Sequence, residues 1–138
     1  MILLDTNVLS ELMKPAPAAG VIDWLNARPA ASLYTTSITQ AEILHGILLL
    51  PAGKRRKAFE DAATAMFAED FVGRIVAFGT DAARFYAEIA AGRRLKGRPI
   101  SHFDAQIAAI ARSTAATLAT RNTLDYLDCG IEVTNPWD

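Results

Sequence analysis

The chain has 138 residues, 51% hydrophobic and 21% charged, with a formal net charge of −1. That length and balance fit one globular domain, residues 1–138, with a core large enough to need no covalent staples, and they exclude a disordered chain. One cysteine excludes an internal disulfide and, without a Cys/His cluster, a structural zinc site, while near-neutrality excludes an overall basic field for polyanions. A reducing cytoplasm suits the lone Cys129. The start, MILLDTNVLSEL, has acids at Asp5 and Glu11 and no basic lead-in, and the apolar run Ile47 to Leu50 is far too short for a bilayer, so neither signal peptide nor membrane anchor is expected.

Met1 to Leu4 is a short apolar strand stopped by Asp5-Thr6-Asn7, which can cap a helix over Val8 to Met13. Pro15 and Pro17 break that helix, and Ala18 to Ala27 resumes helical character until Arg28-Pro29. Leu33 to Thr35 is the second strand. Ser37 with Gln40 has the form of a capping box opening a helix from Ile38 to about Leu50, which Pro51-Ala52-Gly53 ends. A helix over Lys54 to Asp70 follows, then a strand at Arg74 to Phe78, a helix over Asp81 to Leu95, and another over Ser101 to Ser113. Strands at Thr117 to Thr120 and Ile131 to Val133 complete the set. Strands alternating with helices, and no two-residue hairpin turn, predict an α/β fold with a mostly parallel central sheet and helices on both faces. In such sheets the site lies beyond the carboxyl ends of the strands, and Asp5 follows the first strand directly.

Two helices each turn an acid inward. Glu42 falls on the stripe of Ile38, Ala41, His45 and Leu49, and Asp104 begins the apolar face of Ile107, Ala108 and Ala111. Unpaired buried carboxylates are costly, whereas acids converging on a divalent cation stay ionised. Each also has a structural alternative: Asp5 as an N-cap, Asp104 as third residue of a capping box begun by Ser101, Glu42 as partner of a buried arginine. Oxygen ligands without cysteine suit Mg²⁺ or Mn²⁺, hence phosphoryl chemistry. Neither GxxxxGK[ST] nor GxGxxG occurs, so nucleoside triphosphate hydrolysis has no support.

LLDTNVLSEL at residues 3 to 12, TSITQAEILHG at 36 to 46, FDAQIAAIA at 103 to 111, LATRNTLDY at 118 to 126 and the closing Asn135-Pro136-Trp137 together resemble the PIN-domain family, of the VapC/FitB toxin type. The resemblance implies a metal-dependent endoribonuclease. Asp5 and Asp104 would be the principal ligands of Mg²⁺ or Mn²⁺, Glu42 would bind a second ion or orient the attacking water, and Thr6, Asn7 and Ser37 would be polar helpers. Where some relatives carry a fourth acid this chain has Asn122, and Asp125 either substitutes for it or caps a turn. The resemblance also implies a homodimer and a cognate antitoxin that blocks the acidic site and carries the DNA-binding segment, so that operator DNA is reached only through it.

The cluster Arg93, Arg94, Lys96 and Arg98, with Arg121, is expected to steer RNA, and Lys54 to Lys57 to be a solvated face. His45 is expected to pack or hydrogen-bond, and His102 to lie on the surface. Two other functions share the same residues: a catalytically weak subunit completing a DNA-binding complex with its antitoxin, and a DNA-directed nuclease.

Overall fold

The structure is a computed structural model describing residues 1–138. In chain order it contains β1 (Ile2–Leu4), α1 (Thr6–Leu12), α2 (Ala19–Asn26), β2 (Leu33–Thr36), α3 (Ser37–Leu48), α4 (Lys54–Ala65), β3 (Ile75–Val76), α5 (Thr80–Leu95), α6 (His102–Thr114), β4 (Thr117–Ala119) and β5 (Val133–Thr134). Short 3₁₀ turns cover Ala30–Ser32 and Thr123–Tyr126, and a π turn, Met66–Asp70, continues α4. No helix is long and apolar enough to cross a membrane.

The sheet has five strands in the order β3-β2-β1-β4-β5, and every pairing is parallel. Because side chains alternate along a strand, Leu3 and Leu118 enter one core with α5 and α6, while Leu4 and Ala119 enter the other with α1 to α4. Helices therefore cover both faces, as expected. The chain leaves β1 towards β2 on one side and reaches β4 on the other, so a topological switch point lies at the carboxyl ends of β1 and β4.

Two helix starts place site residues. Asp5 caps α1, its Oδ1 accepting from Thr6 N at 2.8 Å. Thr36, not Ser37, caps α3, its hydroxyl accepting from Thr39 N at 3.0 Å. The Ser37 capping box of the sequence reading is displaced by one residue, because Thr36 is equally able to cap and already holds the extended backbone of β2.

Candidate functional site

At the switch point a cleft of about 450 Å³ is lined by Asp5, Thr6, Asn7, Glu42, Asp104 and Asn122. Asp5 is 5% exposed. Beyond its bond from Thr6 N, its Oδ2 accepts from the hydroxyls of Thr120 at 2.8 Å and Tyr126 at 3.1 Å. It is thus both the cap of α1 and a wall of the cleft. Burial holds its carboxyl above the ordinary value against those hydrogen bonds, and the nearby charge of Asp104 pushes it the same way.

Asp104 stands in the first turn of α6, half-buried, with Ile107, Ala108 and Ala111 of the same helix in the core. Its N–H donates to Ser101 Oγ at 3.1 Å, while its side chain turns away from the cap and Oδ1 accepts from Tyr126 Oη at 3.1 Å. Tyr126 has one phenolic proton for two carboxylates, and so couples Asp5 to Asp104. Burial first, then the charges on Asp5 and Asp104, raise the Tyr126 pKa far above that of a free phenol, keeping it a donor.

Glu42 is half-buried, and its Oε1 accepts from Thr6 Oγ1 at 2.9 Å. Its carboxyl is raised by burial, opposed by the Thr6 bond, and raised further by Asp5 and Asp104. The stripe assigned to it is incorrect. Thr39, Ile43 and Ile47 form the buried face of α3, whereas Ala41, His45 and Leu49 are exposed, so His45 is not a packing residue. Thr36 and Thr6 satisfy the backbone N–H and hydroxyl of Thr39, which lets a threonine join the inner face and turns the helix by one position. Glu42 sits at the edge of that face, beside Ile43.

Asn7 fixes the exit from β4, its Nδ2 donating to Thr120 Oγ1 at 3.0 Å and its Oδ1 accepting from Arg121 N at 3.1 Å. Asn122 lines the cleft, its N–H donating to Thr120 Oγ1. Asp125 does not: its side chain is exposed and its carbonyl accepts from Arg93 Nη1 at 2.8 Å. Ser37 opens α3, half-buried and outside the cleft. The residues that sequence reasoning missed are Thr120 and Tyr126. Thr120 follows β4 as Asp5 follows β1, a signal that was available; Tyr126 offered none.

The basic cluster is corrected most sharply. Arg93 is 7% exposed and donates to the carbonyls of Arg98, Asp125 and Leu127, with Cys129 Sγ beside it. It shares the inner face of α5 with Ala82 and Ile89, a periodicity that a charge run conceals. Lys96 and Arg98 pair with Asp128, Arg94 is exposed, and none of the four lines the cleft. Arg121 does line it, with its guanidinium over Trp137 at 5.0 Å. His102 is on the surface, as expected, bonded to Tyr86 Oη at 2.7 Å.

The donor set fits a hard divalent cation. Asp5, Glu42 and Asp104 supply carboxylate oxygens, Asn122 an amide oxygen, and no sulfur or imidazole lines the cleft. No ion pair neutralises those three acids, because Lys14 is engaged with Glu11 at 3.0 Å. No three acidic, histidine or cysteine side chains converge closely enough to cage an ion unaided. Such an arrangement suits magnesium, which keeps several waters and takes one or two carboxylates.

The family model described as PIN domain matches residues 2–124. The chain is 38% identical, over its whole length and 99% of the other's, to a Sinorhizobium fredii protein named VapC ribonuclease Y4jK. It is 36% identical to Toxin FitB of Neisseria gonorrhoeae, over 99% of each chain. A structure of FitAB bound to an IR36 DNA fragment contains a chain that superposes with a TM-score of 0.92 at 36% identity, covering 100% of this chain and 96% of that one.

Proposed function

The chain belongs to the PIN-domain family, and on that premise we propose that it is the toxin of a toxin–antitoxin pair, an endoribonuclease hydrolysing RNA phosphodiester bonds with Mg²⁺ or Mn²⁺. The observation that carries this reading is the pairing of Asp5 and Asp104 through one phenol, beside Glu42, in a cleft where nothing basic pairs with them. Asp5 and Asp104 would hold the cation, with Glu42 and Asn122 completing its surroundings. A bound cation supplies a more acidic water and compensates charge on the phosphate.

The chain's own residues do the positioning. Thr6 N and Thr120 hold the Asp5 carboxylate in one rotamer, and Tyr126 holds Asp104 against it. Thr6 Oγ1 occupies one oxygen of Glu42, leaving the other to take the proton of an attacking water. Burial and like charges make Glu42 more basic than an ordinary carboxylate, which suits that task.

The FitAB complex with DNA also supports an antitoxin as partner, one that reaches operator DNA; a basic side chain from it would pair with the acids of the cleft, and the toxin itself would be a homodimer. The DNA in the FitAB complex also favours a second reading, a subunit that serves chiefly to complete a regulatory complex. Digestion of an RNA mixture by the purified protein separates them. Fragments should form with magnesium or manganese, vanish with chelator, and vanish in folded Asp104→Asn. Cleavage that survives in that variant would sink the nuclease reading, and absence of cleavage in the parent with intact DNA-complex assembly would favour the second.

A further inference from the structure

Beside the acidic cleft lies a second cavity, of about 240 Å³, whose shared walls are Thr6, Ser10 and Glu42. Its floor is apolar, formed by Met13 of the α1 end, Ile43 and Ile47 of α3, Leu50 just past that helix, and Phe59 of α4. Arg55 stands at its side, with its guanidinium carbon 5.7 Å from the Phe59 ring centroid. From this geometry we infer that the cavity receives one unpaired base of the RNA, that of a nucleotide flanking the scissile phosphate, stacked on Phe59 while Arg55 binds its phosphate. The inference rests on the ribonuclease reading above.

Three observations favour a nucleotide. The two spaces adjoin across Thr6, Ser10 and Glu42, so a strand whose phosphate lies at the carboxylates can set a neighbouring nucleoside just beyond Glu42. At about 240 Å³ the cavity is below the ~300 to 1,000 Å³ of sites for drug-sized molecules, and suits one flat ring. The charge at its edge is also poised for an anion. Arg56 and Lys57 are paired with Glu60 and Asp61, but Arg55 forms no ion pair. The first turn of α4 holds no acid and no side-chain cap, so Lys54 and Arg55 add charge to a helix end that is already positive. That costs stability, and a phosphate would relieve it. Stacking of a base on an aromatic ring with an arginine alongside is a common mode of single-strand recognition. Lys54, Arg55 and Lys57 are exposed, as expected of a solvated face, and within that face Arg55 is the residue that also lines the cavity.

The test has a binding arm and a cleavage arm. In saturation-transfer NMR on the metal-free protein, the four ribonucleoside 5′-monophosphates are the probes. Base protons should receive magnetisation, Arg55→Ala should weaken binding roughly tenfold, and Phe59→Leu should lose the base contacts. With a randomised RNA, both variants should flatten base preference at one position beside the cut and raise KM more than they lower kcat. If base protons receive nothing, or both folded variants keep the parental preference at every position, the inference is overturned. It is also overturned if cavity signals respond only to the antitoxin and never to nucleotides, which would assign the cavity to a protein partner. Failure of the parent to cut any RNA would instead count against the proposed function, with the binding arm still deciding the cavity.

Discussion

Two charged side chains lie equally deep in this molecule and are treated in opposite ways. Arg93, 7% exposed, donates to three backbone carbonyls and a cysteine sulfur, so that its donors are met by uncharged acceptors. Asp5, 5% exposed, accepts from a backbone N–H and two hydroxyls but faces Asp104 and Glu42 across the same cleft. The first charge closes a structure: it ties α5 to the segment between β4 and β5. The second is left electrostatically incomplete, since every further acid beside it makes the apo state less favourable. Burial alone therefore does not mark a functional charge; burial among like charges does.

The contrast breaks most visibly on replacement. Asp5→Asn should lower metal-dependent RNA cleavage by roughly 100-fold or more, the scale on which positioned carboxylates act. Its thermal unfolding should stay within about 1 kcal/mol of the parent, because an amide oxygen can still cap α1 and the like-charge repulsion is gone. Arg93→Met should do the reverse. Leaving the carbonyls of Arg98, Asp125 and Leu127 without their donor should cost ~2 to 4 kcal/mol, a fall in Tm of roughly 10 °C, with kcat little changed at temperatures where the variant is folded. Parental stability in the arginine variant, measured by calorimetry, would remove the structural half of the comparison.

A smaller effect is expected at Tyr126, which touches both carboxylates and holds no metal itself. Tyr126→Phe should weaken magnesium binding by about tenfold, in line with other groups that orient metal ligands. Isothermal calorimetry reads this directly, and unchanged affinity would mean that Thr6 and Thr120 position the acids unaided.

Why the sequence exposed some of this and hid the rest follows from the range of each interaction. The parallel sheet and the place of Asp5 are local statements, an apolar run stopped by a capping residue, and such patterns survive folding. Asp104 was equally visible because Ile107, Ala108 and Ala111 recur on one helical face and are buried. Glu42 was found by the wrong stripe, since Thr39 counts as polar until Thr36 and Thr6 satisfy it. Tyr126 meets Asp5 across 121 positions of chain, and no periodicity reports on that. Arg93 was misread for a related reason: four basic residues within six positions look like one surface, although Arg93 and Arg94 face opposite environments on the last turn of α5 and Lys96 and Arg98 lie past its end.

The smallest expected effect concerns what remains of that basic cluster. Arg98 and Lys96 both engage Asp128, an exposed residue at φ 59°, in the loop that Arg93 secures from beneath. An exposed ion pair contributes ~0 to 1 kcal/mol, so Arg98→Ala should shift Tm by no more than about 3 °C. If the cluster steered RNA, the same change would reduce the salt dependence of binding by about one ion. Because Asp128 already engages Arg98 and the cleft lies elsewhere, the slope of log Kd against log salt should match the parent, whereas Arg121→Ala should flatten it. A flattened slope in Arg98→Ala would return substrate contact to the α5 end and divide the RNA path between two surfaces.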